Sequence, residues 1–249
     1  MEIEKGLFDA MYIDIHSHIL YGLDDGSKNV EQSFKMLKIA HENEIQDIIV
    51  TPHNKANRHN ASKRTIEERM AELQHHADEN GYGMHLYAGT EFYYRSELVE
   101  LLNQKKVCTM ADSAYVLIEF SPRDDYAYIR DGLYAILSAG YRPIIAHIER
   151  YQAIMKDQSL VDDLIDMGCY VQVNVGSVMG RFGFRTKSDT RKLLQNGRVH
   201  FLATDAHNDT ERPPEIDSCV RKLYRKYDEK YIDDLIYKNA RKVIENVYI

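Results

Sequence analysis

Seven short runs rich in Ile, Val and Tyr alternate with helix-patterned segments, and this alternation restricts the fold more than any single motif does. The strand-like runs are 12–19, 47–53, 84–92, 115–120, 142–148, 170–175 and 199–205. Helical patterns fall at 28–43, 62–80, 95–104, 126–139, 157–167 and 187–196, and two more close the chain at 214–228 and 230–246. In the first helix Val30, Phe34, Leu37 and Ala40 recur at helical spacing, with Ser27 as its N-cap. Gly140, Gly168 and Gly197 follow three helices, where a left-handed residue ends the last turn. Repeated β-α units predict parallel strands joined by right-handed crossovers. A closed or nearly closed barrel is the economical arrangement, and a doubly wound open sheet is the alternative. A length of 249 residues suits one such barrel. No linker or composition break divides it, so residues 1–249 read as one domain, with 1–10 as an N-terminal extension.

Composition narrows the function classes. A net charge of -7 disfavours duplex nucleic acid as a partner. Cys108, Cys169 and Cys219 are far apart and form neither a disulfide framework nor a Cys-x-x-Cys knuckle, which fits a reducing cytoplasmic compartment. The charged N-terminus lacks the apolar core of a signal peptide, and no run reaches the ~18 apolar residues that span a bilayer. The expectation is a cytoplasmic protein with no membrane insertion.

The C-terminal ends of the strands carry metal-type residues. The first ends in His16 and His18, which share a face because strand residues i and i+2 do. A carboxylate turn with Asp25 follows. Later strands end in His53, Glu91, Glu119, His147, and Asp205 with His207. Only the sixth, ending near Gln172 and Asn174, lacks an obvious ligand. Each residue alone has a bland reading, such as a capping carboxylate for Glu119 or a satisfied loop histidine for His53. In a β/α barrel, however, those ends share one face, where sites are built. Mixed imidazole and carboxylate without thiolate suits Mn²⁺, Fe²⁺ or Zn²⁺. The set exceeds what one ion needs and could serve two or three.

Asp14-Ile15-His16-Ser17-His18, Asp24-Asp25-Gly26, Gly89-Thr90-Glu91, His147-Ile148-Glu149-Arg150-Tyr151, Asp205-Ala206-His207-Asn208 and Arg212-Pro213-Pro214 together resemble the polymerase-and-histidinol-phosphatase (PHP) family of metallo-hydrolases. More narrowly they resemble its bacterial capsule and exopolysaccharide tyrosine-protein phosphatases. The resemblance runs from about Tyr12 to the C-terminus. It implies a distorted (β/α)7 PHP-type barrel with three ions, usually manganese. His16, His18, Glu91 and Asp205 would hold one; Asp25, His53 and His207 a second; Glu119 and His147 a third, with Glu91 shared. Arg150 and Arg212 match the family's phosphate-binding arginines. The implied substrate is a phosphotyrosine protein, the tail of a bacterial tyrosine kinase controlling polysaccharide export. A phenolate leaving group has a pKa of about 10 and needs less protonation than an alkoxide; an ion or His207 could stabilise it.

A cysteine phosphatase is the competing chemistry, since Cys219 and Arg225 have Cys-x5-Arg spacing. The intervening residues contain no glycine for a phosphate-cradling loop, and Val220, Leu223, Tyr224 and Tyr227 have helical spacing. Lys55, Arg58, Lys63, Arg64 and Arg69 read first as a solvated loop and helix face, and second as an attraction for an acidic peptide. Tyr93, Tyr94 and Tyr151 are placed near the site rim, where they could stack on a phenyl ring. Rival functions are a histidinol-phosphate-type phosphomonoesterase, a PHP phosphodiesterase or nuclease, and a non-catalytic metal-stabilised scaffold.

Overall fold

The computed structural model describes residues 11–56 and 58–249. The expected 1–10 extension lies outside the described residues. Parallel strands run β1 (Tyr12–Ser17), β2 (Ile45–Val50), β3 (His53–Asn54), β4 (His85–Ala88), β5 (Glu91–Tyr93), β6 (Tyr115–Glu119), β7 (Arg142–Ile145), β8 (Tyr170–Asn174) and β9 (Phe201–Ala203). Helices α1 (Val30–Glu42), α2 (Lys63–Glu79), α3 (Leu98–Asn103) and α4 (Tyr126–Ser138) occupy the first crossovers. They are followed by α5 (Gln152–Lys156), α6 (Ser159–Asp166), α7 (Val175–Met179) and α8 (Phe184–Gln195). The chain closes with α9 (Asp217–Tyr224), α10 (Glu229–Asp233) and α11 (Asn239–Ile244).

The strands pair as β1-β2-β4 and as β3-β5-β6-β7-β8-β9. Two expected strands, 47–53 and 84–92, are each broken in the middle, and each half serves a different sheet. The first breaks at Thr51-Pro52, where proline offers no ladder donor. The second breaks at Gly89-Thr90. A Cβ on Gly89 would lie 2.8 Å from Ile49 Cγ2, so the two strands approach there as only glycine allows. Between the first and last strands Ser17 forms one parallel bridge with Ala206. His18 N–H donates to Ala206 O and Asp205 N–H to His16 O, both at 2.8 Å. Asp14 fastens the same seam by accepting from Thr204 N–H and the Thr204 hydroxyl. The result is the distorted seven-stranded β/α barrel, interrupted at two strand breaks and joined at this seam.

Strand parity aims the site. Tyr115, Leu117, Ile144, Phe201 and Ala203 form one apolar cluster with Ile13, Ile15 and Ile49. Two residues further along the same faces come Glu119 and Asp205, and Tyr170 leads likewise to Gln172 and Asn174. On the opposite faces Val116, Ile118, Val171 and Leu202 join helix residues such as Leu37, Leu133 and Leu193 in the larger core. Burying each such side chain contributes roughly 1.5–3 kcal/mol.

Local details differ from expectation. The α1 cap is Asn29, whose side chain accepts from Gln32 N–H; Ser27 is two residues too early. Its hydroxyl instead donates to Asn29 O and accepts from Ser33 Oγ, bracing the turn before the helix. The segment expected as one helix over 230–246 contains a π-helical turn at Asp234–Lys238. That wider turn still buries Leu235 and Ile236. Among the described residues no helix is long and apolar enough to cross a membrane.

Candidate metal centre

β1 delivers His16 and His18 into a fully buried position, and their Nε2 atoms lie 3.1 Å apart. Each ring is held by its other nitrogen. His16 Nδ1 faces Gln172 Oε1 at 3.2 Å, and His18 Nδ1 faces Asp24 Oδ2 at 2.7 Å. His207 Nδ1 likewise faces Asp205 O at 3.0 Å. Oxygen acceptors favour the proton on these three Nδ1 atoms, so each ring in its neutral form would present a bare Nε2 to the centre.

Carboxylates close the centre. Glu91 Oε2 is 3.3 Å from His16 Nε2 and 3.2 Å from His18 Nε2, while Glu91 Oε1 is 2.9 Å from His147 Nε2. One carboxylate therefore faces two groups of nitrogens. Asp205 Oδ1 lies 3.5 Å from His16 Nε2 and 3.4 Å from His18 Nε2. Glu119 Oε1 is 3.6 Å from His147 Nε2. His53 Nε2 is 3.4 Å, and His207 Nε2 3.8 Å, from Oδ1 of Asp25, which is the most exposed member at 69 %. All nine sequence-selected metal-type residues thus meet at one end of the barrel.

The electrostatics are those of a site that wants cations. Burial alone would raise the pKa of Glu91, but His16, His53 and a hydrogen bond from His147 hold it well below the carboxylate range. Asp205 is depressed in the same way, against burial, by His16, His18 and the two arginines. Conversely, burial opposes charge on His18, yet Asp24, Asp205 and Glu91 hold its pKa well above the usual imidazole value. Glu119 is pushed up to about 7 by burial and by the charge of Glu91. His147 is pushed down to about 4 by burial and Arg150, and His207 to about 3 by burial and His18. Neutral rings suit ligation. His53 Nδ1 and Glu91 Oε2 are 2.8 Å apart, yet neither atom has a hydrogen-bond partner. Glu119 Oε2 is also buried and accepts no hydrogen bond, although the Lys55 ammonium lies 3.8 Å away. Proximity without hydrogen-bond alignment, in an all-nitrogen-and-oxygen donor set, fits divalent cations.

Arg150 and Arg212 converge on Asp205 Oδ2, at 2.8 and 2.7 Å. Arg150 therefore pairs with neither Glu149 nor Asp157. Glu149 instead accepts from Asn174 N–H at 3.0 Å. His147 and Asp205 both hold left-handed backbone, with φ of 34° and 51°. For non-glycine residues this is a local cost of roughly 1–3 kcal/mol, of the kind that collects at functional sites.

Sequence reasoning missed three residues. Asp24, rather than only its neighbour, is buried against His18, and it also accepts from His53 N–H at 2.8 Å and Gly26 N–H at 2.9 Å. The sixth strand is not idle. Gln172 Oε1 accepts from His147 N–H at 2.8 Å, and Asn174 Nδ2 donates to Asp205 Oδ2 at 2.7 Å. The signal was present in Gln172 and Asn174, two amides on one face of an otherwise apolar strand. Of the expected rim aromatics, Tyr151 is a core residue, wholly buried, donating to Ala146 O and accepting from Phe120 N–H. Tyr94 packs against Gly132, where a Cβ would come within 2.7 Å of its ring. The basic run divides. Arg64 pairs with Glu68, Lys63 with Asp112, and Arg69 covers Tyr21, whereas Lys55 and Arg58 line a cavity of about 320 Å³ beside His53 and Asp25. Cys219 is buried in α9, so no phosphate loop exists there.

A parallel β/α barrel whose C-terminal strand ends gather imidazoles, carboxylates and two phosphate-type cations is a metal-site barrel of the hydrolase kind. Within that class the chain belongs to the CpsB/CapC family of capsular polysaccharide synthesis, whose model matches residues 12–245. It is 36% identical over 237 residues to the tyrosine-protein phosphatase CpsB of Streptococcus pneumoniae, covering 93% of this chain and 98% of that one. It is 29% identical over 234 residues to the tyrosine-protein phosphatase YwqE of Bacillus subtilis, covering 94% and 92%. A solved structure from a study of YwqE and CpsB, described as metal-dependent tyrosine phosphatases, superposes with a TM-score of 0.88 at 29% identity, over 95% of this chain and 96% of that one. The histidinol phosphate phosphatase of Lactococcus lactis shares the fold, with a TM-score of 0.56 at 12% identity over 94% of this chain and 92% of that one.

Proposed function

We propose that this chain is a metal-dependent protein-tyrosine phosphatase acting on a bacterial tyrosine kinase that regulates capsular or exopolysaccharide synthesis. The observation that carries the reading is Asp205. Its Oδ1 faces the histidines and its Oδ2 meets Arg150 and Arg212, so phosphate-binding cations stand directly beside metal-type donors. The CpsB and YwqE relatives, named as tyrosine-protein phosphatases, support the substrate class. Three buried free thiols accord with a cytoplasmic setting.

In this reading His16, His18, Glu91 and Asp205 would hold one ion; Asp25, His53 and His207 a second; Glu119, His147 and the far oxygen of Glu91 a third. Manganese is the proposed metal. Bound divalent ions supply an activated water and neutralise phosphate oxygens. The remaining work falls to the chain. Asp24, Gln172 and the Asp205 carbonyl fix the rings of His18, His16 and His207 with Nε2 inward. Arg150 and Arg212 clamp non-bridging oxygens, for which the guanidinium fork is shaped. Neutral His207 serves as a ligand rather than an acid, and a phenolate of pKa about 10 can leave with little protonation.

The test combines elemental analysis of metal-replete protein with assays on a phosphotyrosine peptide, histidinol phosphate and bis-nitrophenyl phosphate. The expected result is manganese dependence and preference for the peptide. Preference for histidinol phosphate or for the diester would replace this reading with a small-molecule phosphatase or a phosphodiesterase.

A further inference from the structure

A second cavity, of about 150 Å³, lies between α8, α9 and the end of α7, outside the metal centre. Its floor is apolar, made by Val178, Met179, Leu194 and Leu223 with the side of Tyr227. Its rim is wholly cationic: Lys187 and Arg191 from α8, Lys222 from α9 and Lys226 just beyond it. Among the described residues no carboxylate lines the cavity and none forms an ion pair with these four side chains. The neighbouring acids are already engaged, Asp189 by Arg185 and Lys192, and Glu215 by Arg181. Lys187 and Lys222 reach only Met179, at its carbonyl (3.5 Å) and its sulfur (3.7 Å). Four like charges gathered without counter-ions, on a chain of net charge -7, repel one another and gain when an anion enters.

We propose that this cavity is a docking site for an acidic segment of the protein substrate, remote from the reacting phosphotyrosine. One apolar or aromatic side chain fills the floor, and carboxylates or phosphates on either side meet the rim. The size fits: an apolar cavity of about 150 Å³ accepts a benzene-sized group. The concave shape favours an inserted side chain over a flat lipid surface. Its position fits too. The segment that supplies Val178, Met179 and Lys187 also carries Phe182, whose ring lies 5.4 Å from the Arg150 guanidinium. The cavity thus shares the 178–187 segment with the loop that borders the phosphate-binding arginine.

This inference rests on the protein-phosphatase reading, and the experiment separates the two. Metal-loaded wild type, Lys222→Glu/Lys226→Glu and Lys187→Glu/Arg191→Glu are compared in two measurements. The first is anisotropy of an unphosphorylated Glu-rich peptide containing one Phe. The second is kinetics on p-nitrophenyl phosphate and on the same peptide with a phosphotyrosine appended. All four substituted positions are exposed side chains, and folding is checked by circular dichroism. Expected are roughly tenfold weaker peptide binding and a similarly raised KM for the long phosphopeptide in both double variants, with p-nitrophenyl phosphate kinetics unchanged. Unchanged peptide binding in either variant, or no binding of the peptide to the wild type, would overturn the docking site. A wild type that binds the peptide but releases no phosphate from phosphotyrosine would overturn the function and leave the docking site standing.

Discussion

Asp24 Oδ2 sits 2.7 Å from His18 Nδ1 and so decides which nitrogen of that ring faces the centre. The same carboxylate accepts backbone N–H groups from His53 and Gly26, which ties the turn after β1 to β3. Gly26 is required for that approach, because a Cβ there would lie 2.3 Å from His18 O. Asp24→Asn keeps the shape but removes the charge that favours Nδ1–H. Metal affinity is expected to fall about 10–100-fold, with activity recovering at high metal concentration. Titration of manganese against phosphatase activity measures this, and an unshifted activation curve would show that the pair has no orienting role.

Arg150 and Arg212 share one oxygen of Asp205 and would exchange that partner for phosphate. Arg150→Ala is expected to lower kcat/KM by about 10²-fold or more while the protein retains its metal content. Arg150→Lys restores little, since an ammonium cannot reproduce the fork. Parallel metal analysis and kinetics decide between this and loss of the centre.

The barrel and its ligand face were legible because both follow from periodicity. Parity carries Tyr115 and Leu117 on to Glu119, and Phe201 and Ala203 on to Asp205. What periodicity cannot express is a change of partner within a strand. Pro52 and Gly89 could be seen in the sequence, yet only the close contact of Gly89 with Ile49 makes the second break intelligible. Asp24 and Asp25 are chemically identical neighbours, and the turn alone sends one inward to His18 and leaves the other at the mouth. Ser27 and Asn29 are both competent caps; the hydroxyl network with Ser33 settles which one acts. Gln172 and Asn174 do not stand out in the sequence because amides are poor ligands, although they hold His16, His147 and Asp205 in place.

Cys219 is a core residue on α9, its thiol pushed up to about 12 by burial. Cys219→Ser buries a hydroxyl in its place and is expected to cost about 1–3 kcal/mol, while leaving kcat nearly unchanged. Strong chelation of the wild type is expected to abolish activity. Thermal melts beside kinetics check both, and inactivation by the serine substitution with resistance to chelator would indicate a thiol mechanism.

His200 provides a pH test separate from the centre. Its Nδ1 accepts from Val171 N–H at 3.1 Å, which requires an unprotonated Nδ1, and its ring meets Tyr170 edge-on. Burial pushes its pKa down to about 4, against about 6.5 in an unfolded chain. The folded state therefore refuses a proton that the unfolded state takes. The stability contributed by this residue is fully present above about pH 6.5 and is lost as pH falls toward 4. Urea midpoints of chelated wild type and His200→Gln, followed from pH 7.5 down to 5, share the titrations of the metal-type residues, so their difference isolates this ring. The wild type is expected to lose stability faster on acidification; parallel curves would place His200 in a solvated, freely protonated environment.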